Sequence, residues 1–189
     1  MDRVNNRLVK GFRLLGFRKN PLVPCAGMMA KLDASIEPVM PVLFIRNAGR
    51  AAYVPEKGVL TIRHGGRLIT LCQDGTVVVG RAWDEEVARR VLEEIVEMVN
   101  EAYGELLREG PPSDEELRKA MELDWRRLLD LMPGLDCGEC GRRTCQAFSI
   151  DVLRGQARLS DCPLVRTDDE IARRIKMALG VRLARALGL

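Results

Sequence analysis

The sequence lacks the features by which several common protein classes are recognised. Its 189 residues contain one histidine, His64, and no apolar run approaching the roughly 20 residues of a membrane span. Residues 1–7 have neither the apolar core nor the cleavage site of a secretory signal. The motifs G-x-x-x-x-G-K, G-x-G-x-x-G and G-x-S-x-G are also missing. We therefore expect a cytoplasmic protein, in which thiols stay reduced, and no P-loop, dinucleotide-binding or serine-hydrolase chemistry.

The net charge of +3 is too small to imply a nucleic-acid partner, and no pair of carboxylates suggests acid–base catalysis. Basic residues concentrate in the first nineteen residues and in the predicted last helix. This is typical of solvated faces of amphipathic elements, with docking of an acidic protein or an anionic cofactor as the alternative. The basic residues of the last helix are Arg173, Arg174, Lys176, Arg182 and Arg185.

The part of the chain from residue 51 to 81 has a period of two and predicts strands. Three of them, at 59–63, 67–72 and 76–81, are separated by glycine-containing turns, so we expect an antiparallel meander. Residues 1–50 are irregular in pattern, except that 42–45 predicts a short buried strand.

A long amphipathic helix is predicted directly after the meander. Asp84 is its N-cap, it ends near Arg108, and its apolar stripe would cover one face of the sheet. Residues 1–108 are therefore predicted to form an α+β domain. Gly110 and two prolines then make 109–112 a linker.

Residues 113–189 are predicted to form a small helical domain. A capping box at 113–116 opens a helix to about residue 131, a second helix spans about 144–154, and a second capping box at 167–170 opens a helix to about 187. The fold class expected is thus α+β, with an antiparallel sheet packed by a helix and followed by this helical domain.

Four cysteines in the C-terminal part carry most of the functional information. Cys137, Cys140, Cys145 and Cys162 have the spacing C-x2-C-x4-C-x16-C. Three thiolates on a glycine-rich loop and a fourth returned by a helix can surround a compact inorganic centre, and a [4Fe–4S] cluster is the favoured interpretation. A structural zinc module is one alternative, although zinc usually uses two separated C-x2-C pairs. An unmetallated redox site is the other.

The cysteine segment resembles the four-cysteine iron–sulfur domain of the corrinoid iron–sulfur subunit of acetyl-CoA decarbonylase/synthase and of the B subunit of Rnf-type electron-transport complexes. The resemblance covers about residues 131–165 and implies that all four cysteines bind one [4Fe–4S] cluster. The residues that carry it are Pro133, Gly134, Cys137 to Gly141, Cys145, Ala147, Phe148, Gly155, Cys162 and Pro163.

The resemblance implies low-potential, one-electron transfer in anaerobic metabolism. We accordingly expect an electron-transfer or accessory protein, not an enzyme alone, that serves a partner oxidoreductase or a corrinoid/C1 system. Arg142 and Arg143 depart from the family pattern and should raise the potential or orient an acidic partner. A redox-sensing regulatory or nucleic-acid-binding protein is the alternative. The chain is too short for the corrinoid-binding barrel of the first family and lacks the membrane anchor of the second.

Other candidate residues are weaker. Cys25 and Cys72 are expected to be small buried residues, or else to take part in an electron relay or redox sensing, and His64 to be an exposed turn residue. The segments 74–80 and 84–90 look like the strand–helix end of a TATA-box-binding-protein repeat, so that residues 51–108 weakly resemble one such repeat. That fold wedges phenylalanines between DNA bases. The strands at 51–81 contain no phenylalanine, so DNA binding is not expected.

Overall fold

The computed structural model describes residues 7–19, 26–82 and 84–189. The chain divides into two compact units, Met1–Phe44 with Ala51–Pro111 and Ile45–Arg50 with Pro112–Leu189. The architecture is α+β, as predicted. The six residues 45–50 belong with the C-terminal unit, although they lie between elements of the first one.

Within the described residues of the first unit, six antiparallel strands form one sheet. The strands are β1 Phe12–Lys19, β2 Ala26–Leu32, β3 Ala51–Val54, β4 Val59–His64, β5 Arg67–Cys72 and β6 Thr76–Gly80. Their order in the sheet is β1–β2–β6–β5–β4–β3. The predicted meander is confirmed as β4–β5–β6 with nearly the expected bounds. The sheet is wider than predicted, because β2 pairs with β6, β1 pairs with β2, and β3 pairs with β4.

The core of this unit lies between one face of the sheet and the long helix α2, Glu85–Glu109. Alternate strand residues such as Ile62, Ile69 and Val79 are fully buried, as are Leu92 and Ile95 of the helix. Asp84 caps α2 as predicted, because its Oδ1 accepts the N–H of Glu86 at 2.6 Å. Period-two strands and a period-3.6 helix thus bury their apolar faces against each other.

The predicted strand at 42–45 is wrong, since these residues lie in helix α1, Met40–Arg46. A short 3₁₀ turn, Glu37–Val39, precedes it. Pro38 and Pro41 fall in the first turns, where a backbone N–H has no helical partner to lose. Residues 42–45 are all buried, and a continuous apolar run does not distinguish a buried strand from a buried helix.

The second unit is helical, but two of its predicted helices are interrupted. The helix predicted from 113 to 131 breaks before Asp124, whose Oδ1 caps a new helix through the N–H of Arg127 at 2.8 Å. The last predicted helix breaks at Gly180, which has a φ of +88°. The capping box predicted at 167–170 is wrong, because the N-cap is Asp168, whose Oδ1 accepts the N–H of Glu170 at 2.9 Å. The helices are α3 Asp114–Met121, α4 Trp125–Leu129, α5 Cys145–Leu153, α6 Pro163–Thr167, α7 Asp169–Leu179 and α8 Val181–Ala186.

Two helix starts in this unit agree with the predicted positions. Ser113 and Glu116 form a reciprocal capping box at the start of α3, and Thr144 caps α5 through the N–H of Ala147 at 3.1 Å. Among the described residues, none of the helices combines the length and the apolar character needed to cross a bilayer.

Candidate metal centre

All four cysteines of the motif line one hollow of the C-terminal unit. Cys137 and Cys140 lie on the loop between α4 and α5, Cys145 is the first residue of α5, and Cys162 directly precedes α6. Exposure falls from Cys137, which is exposed, through the half-buried Cys140 and Cys145 to Cys162, whose exposed fraction is 7%. The sequence therefore brings together four sulfur donors from three successive elements.

Two glycines shape the loop that carries the first two cysteines. Gly138 and Gly141 have φ values of +76° and +77°, and the N–H of Gly141 donates to the carbonyl of Gly138 at 2.9 Å. Side chains rarely tolerate this left-handed conformation. The turn thus follows Cys137 and contains Cys140, and both cysteines line the same hollow as Cys145 at the start of α5.

Asp136 joins the loop to helix α5. Its Oδ1 accepts the backbone N–H of Cys145 at 2.6 Å, one of the amides that has no partner within the helix. Asp136 itself has a φ of +47°, a conformation that aspartate tolerates better than most residues. The residue before the first cysteine thus holds the third cysteine in place.

The fourth cysteine is fixed by short local elements. The N–H of Cys162 donates to the carbonyl of Leu159 at 3.2 Å, and its own carbonyl accepts the N–H of Arg166 at 3.0 Å. Pro163 occupies the first position of α6, which suits its fixed φ. Phe148 of α5, with 1% of its surface exposed, lines the same hollow.

Arg142 is held within the C-terminal unit by three hydrogen bonds. Its Nε donates to Asp151 Oδ2 at 3.0 Å, and its two Nη atoms donate to the carbonyls of Cys140 and Gln156, each at 3.1 Å. The side chain therefore ties the cysteine loop to the C-terminal end of α5 and to the residues that follow it. Arg143 is exposed and remains the residue that could orient an acidic partner.

The donor set fits an iron–sulfur centre, because four thiolates are the usual ligands of such clusters. The hollow that these thiols line has a volume of about 10 Å³. In the part of the chain that the structure describes, no three His, Cys, Asp or Glu side chains are grouped as ligands of a single metal ion.

The remaining candidates lie in the first unit or outside the described residues. Cys72 ends β5 and is half-buried; burial and the nearby Asp74 raise the pKa of its thiol. The half-buried His64 ends β4, and its Nε2 lies 2.7 Å from Glu94 Oε2, so it is more confined than a turn residue. Cys25 lies outside the described residues.

The sequence analysis singled out Arg142 but missed two other residues that hold the loop, Asp136 and Asp151. Only the position of Asp136 next to Cys137 could have drawn attention to it. The contacts of Arg142 span nine residues to Asp151 and fourteen to Gln156, so they follow no local periodicity.

Comparison with known proteins identifies the segment around the cysteines. Residues 132–164 match the family model described as "Putative Fe-S cluster". Over 45 residues the chain is 40% identical to the corrinoid/iron–sulfur protein large subunit of Moorella thermoacetica, a match that covers 24% of this chain and 10% of that protein. No solved structure matches the chain.

The family match and the cysteine geometry concern the same stretch of the C-terminal unit. The matched residues include all four cysteines, both loop glycines and the whole of α5. The chain spans only about a tenth of the length of the curated relative, so the likeness concerns this segment alone. Residues 132–164 thus belong to the iron–sulfur domain family that the four cysteines predicted, and the protein is an iron–sulfur protein by virtue of that segment.

Proposed function

We propose that Cys137, Cys140, Cys145 and Cys162 bind one [4Fe–4S] cluster and that the protein transfers single electrons to or from a protein partner. The observation that carries the proposal is the convergence of all four cysteines on one hollow inside the segment matched by the iron–sulfur family. A bound [4Fe–4S] cluster would supply one-electron chemistry, accepting and releasing an electron with little movement of the protein.

The protein residues have three tasks in this proposal. The four thiolates would hold the centre, and any backbone N–H group of the glycine-rich loop that donates to a sulfur would favour the more negative state. Cys145 lies at the N-terminus of α5, where the helix dipole also favours negative charge. Arg142 and Asp136 keep the loop in register with α5 through the contacts described above.

The exposed side of the loop is the proposed route for electrons. Cys137 and Leu135 are exposed, Leu135 by 66%, whereas Cys162 and Phe148 are buried. A partner would therefore approach from the Cys137 side, where the exposed Arg143 favours an acidic surface. The relative named above is a corrinoid/iron–sulfur subunit, so an anaerobic oxidoreductase or a corrinoid/C1 system is the partner we propose.

The test begins with anaerobic purification and analysis of iron, acid-labile sulfide and zinc, followed by spectra before and after dithionite. We expect about four iron and four sulfide per chain, with absorption that bleaches and a paramagnetic reduced state. Stoichiometric zinc in a colourless protein would refute the proposal. A cluster whose redox state changes affinity for DNA or for a regulatory partner, without electron exchange, would favour the sensor alternative.

Cysteine variants test the ligand assignment. Replacing any one of the four cysteines with alanine should abolish the intact cube, whereas Cys72→Ala is the matched control and should retain full iron and sulfide. An intact cluster in Cys162→Ala would overturn the four-ligand assignment, because Cys162 is the ligand most separated in sequence.

A further inference from the structure

A second cavity in the C-terminal unit is surrounded by arginines. It has a volume of about 420 Å³ and lies wholly within this unit, between the segment 45–50, the residues after α5 and the end of α8. Four of its lining residues are Arg46, Arg50, Arg158 and Arg185, and neither aspartate nor glutamate lines it. We refer to it as the arginine pocket.

We propose that the arginine pocket binds a small molecule that carries a di- or triphosphate group. Four arginines drawn from three separate parts of the chain line one cavity, and guanidinium forks match phosphate oxygens in pairs. Among the described residues that line the pocket, arginine is the only charged type, which suits a multiply charged polyphosphate better than a single carboxylate. The site is independent of the cysteines and of the electron-transfer proposal.

The size and floor of the arginine pocket indicate more than inorganic phosphate. Its volume falls within the roughly 300–1,000 Å³ range of small-molecule sites. Ala48, Val152, Leu153 and Leu187 contribute buried apolar surface to the lining. The lining therefore has a charged part, formed by arginines, and an apolar part. A ligand with a phosphate chain and an apolar or aromatic group would match both parts.

Arg50 is held in position at the pocket by its neighbours. Its Nε donates to Asn47 Oδ1 at 3.3 Å, and its Nη1 lies only 2.1 Å from the place a Cβ would occupy at residue 155. Gly155, with a φ of +73°, therefore leaves space for the guanidinium. Burial lowers the pKa of Arg50, because a charge partly stripped of water is less stable, and a bound anion would offset that loss.

The opposite wall of the arginine pocket is fixed by backbone pairing. The N–H of Leu159 donates to the carbonyl of Leu187 at 2.8 Å, and the N–H of Ser160 donates to the carbonyl of Gly188 at 3.2 Å. These bonds hold the chain segment that carries Arg158 and Ser160 beside the end of α8. Arg185, another lining residue, lies on α8. The pocket is thus built by elements far apart in sequence rather than by one flexible basic stretch.

Isothermal titration of the full-length, cluster-bearing protein tests the proposal with pyrophosphate, ADP and citrate at constant ionic strength. We expect saturable one-to-one binding of pyrophosphate or ADP that is tighter than that of citrate. Tighter binding of ADP than of pyrophosphate would identify a nucleotide, and the reverse order a free polyphosphate. Equal binding of citrate, or no saturable binding of either phosphate compound at millimolar concentration, would overturn the assignment.

Variants locate the binding. Arg50→Gln, and separately the double variant R158Q/R185Q on the exposed wall, should each weaken binding by about tenfold or more, as expected for lost charge-assisted hydrogen bonds. Arg154→Gln is the matched control, because Arg154 is exposed next to Gly155 but does not line the pocket. If R154Q weakened phosphate binding equally, the effect would come from the general positive charge of the surface, and the arginine pocket would not be the binding site.

Discussion

The carboxylate of Asp136 accepts the backbone N–H of Cys145 at 2.6 Å, across nine residues of chain. This single hydrogen bond connects the start of the cysteine loop with the first residue of α5. The amide it satisfies is one that the helix itself leaves without a partner. The third cysteine of the motif is therefore positioned by the residue that precedes the first.

Replacing Asp136 with alanine should destabilise the C-terminal unit. We expect the free energy of unfolding to fall by about 1–2 kcal/mol, since both a helix-capping acceptor and a residue tolerant of positive φ are lost. Asp136→Asn keeps an acceptor and tolerates the same backbone, so it should lose less. Chemical denaturation measures the stability, and iron content measures retention of the metal centre.

The exposed Asp130 provides the control for this pair, because Asp130→Ala removes a nearby carboxylate that the described hydrogen bonds do not use. D130A should match the native protein in stability and iron content. If D136A matched it as well, the proposed positioning role of Asp136 would be wrong.

Arg142 should matter more for the stability of the loop than Arg143. Arg142→Gln loses three donated hydrogen bonds, one of them to a carboxylate, and we expect a loss of about 1–3 kcal/mol in the free energy of unfolding. The metal centre should also be lost faster to a chelator. Arg143→Gln should leave both properties unchanged and instead weaken the salt dependence of electron exchange with an acidic partner.

A larger effect on chelation from R143Q than from R142Q would contradict this division of roles. Arg142→Lys refines the comparison, because lysine keeps the charge but not the planar fork that reaches three acceptors at once. If the stability of the loop depends on the geometry of the three hydrogen bonds, R142K should be as destabilised as R142Q. If it depends on the charge alone, R142K should be as stable as the native protein.

Cys72 should react slowly with alkylating reagents. Burial and Asp74 raise the pKa of its thiol, while Lys31 lowers it, so less thiolate is present at neutral pH. The midpoint of iodoacetamide modification, followed by peptide mass spectrometry, should lie above the ordinary thiol value of about 8.5. Asp74→Asn should move the midpoint downward, whereas an ordinary midpoint in the native protein would contradict the prediction.

Asp74 should contribute stability that depends on pH. Its Oδ2 lies 2.6 Å from Lys31 Nζ, and its Oδ1 accepts the N–H of Thr76 at 2.9 Å. Partial burial would raise the pKa of Asp74, but these hydrogen bonds outweigh it and hold the pKa below its usual value. A carboxyl of this kind stabilises the fold above its unfolded pKa, and the contribution is lost as pH falls through the folded pKa.

Asp74→Asn should therefore lower the free energy of unfolding at neutral pH by about 0.5–1 kcal/mol, a small value because the pair is largely solvent-exposed and screened. The difference from the native protein should shrink as the pH is lowered below about 4. Denaturation curves at several pH values measure it, and a difference that grew toward acid pH would contradict the sign.

The interrupted and misassigned helices show which features the sequence patterns do not predict. The pattern of residues 42–45 is equally compatible with a buried strand and a buried helix, and packing on all sides made it α1. Gly180 is a residue type that ends helices, and Asp124 is one that caps them. The apolar periodicity nevertheless continues through both positions, so the pattern predicts unbroken helices. Whether such a stripe continues or turns depends on what the next turn packs against.

Local patterns determined the meander β4–β6, helix α2 with its Asp84 cap, and the identity and spacing of the four cysteines. These features depend on side-chain periodicity, turn glycines and ligand chemistry within short stretches of chain, so the sequence alone was enough. Only the tertiary structure decided the pairing of β1 and β2 with the sheet, the inward direction of Arg142 and the meeting of residues 45–50 with the end of α8. Each of these joins residues far apart in sequence, and such contacts are selected by complementary packing and hydrogen bonding, which no local period encodes.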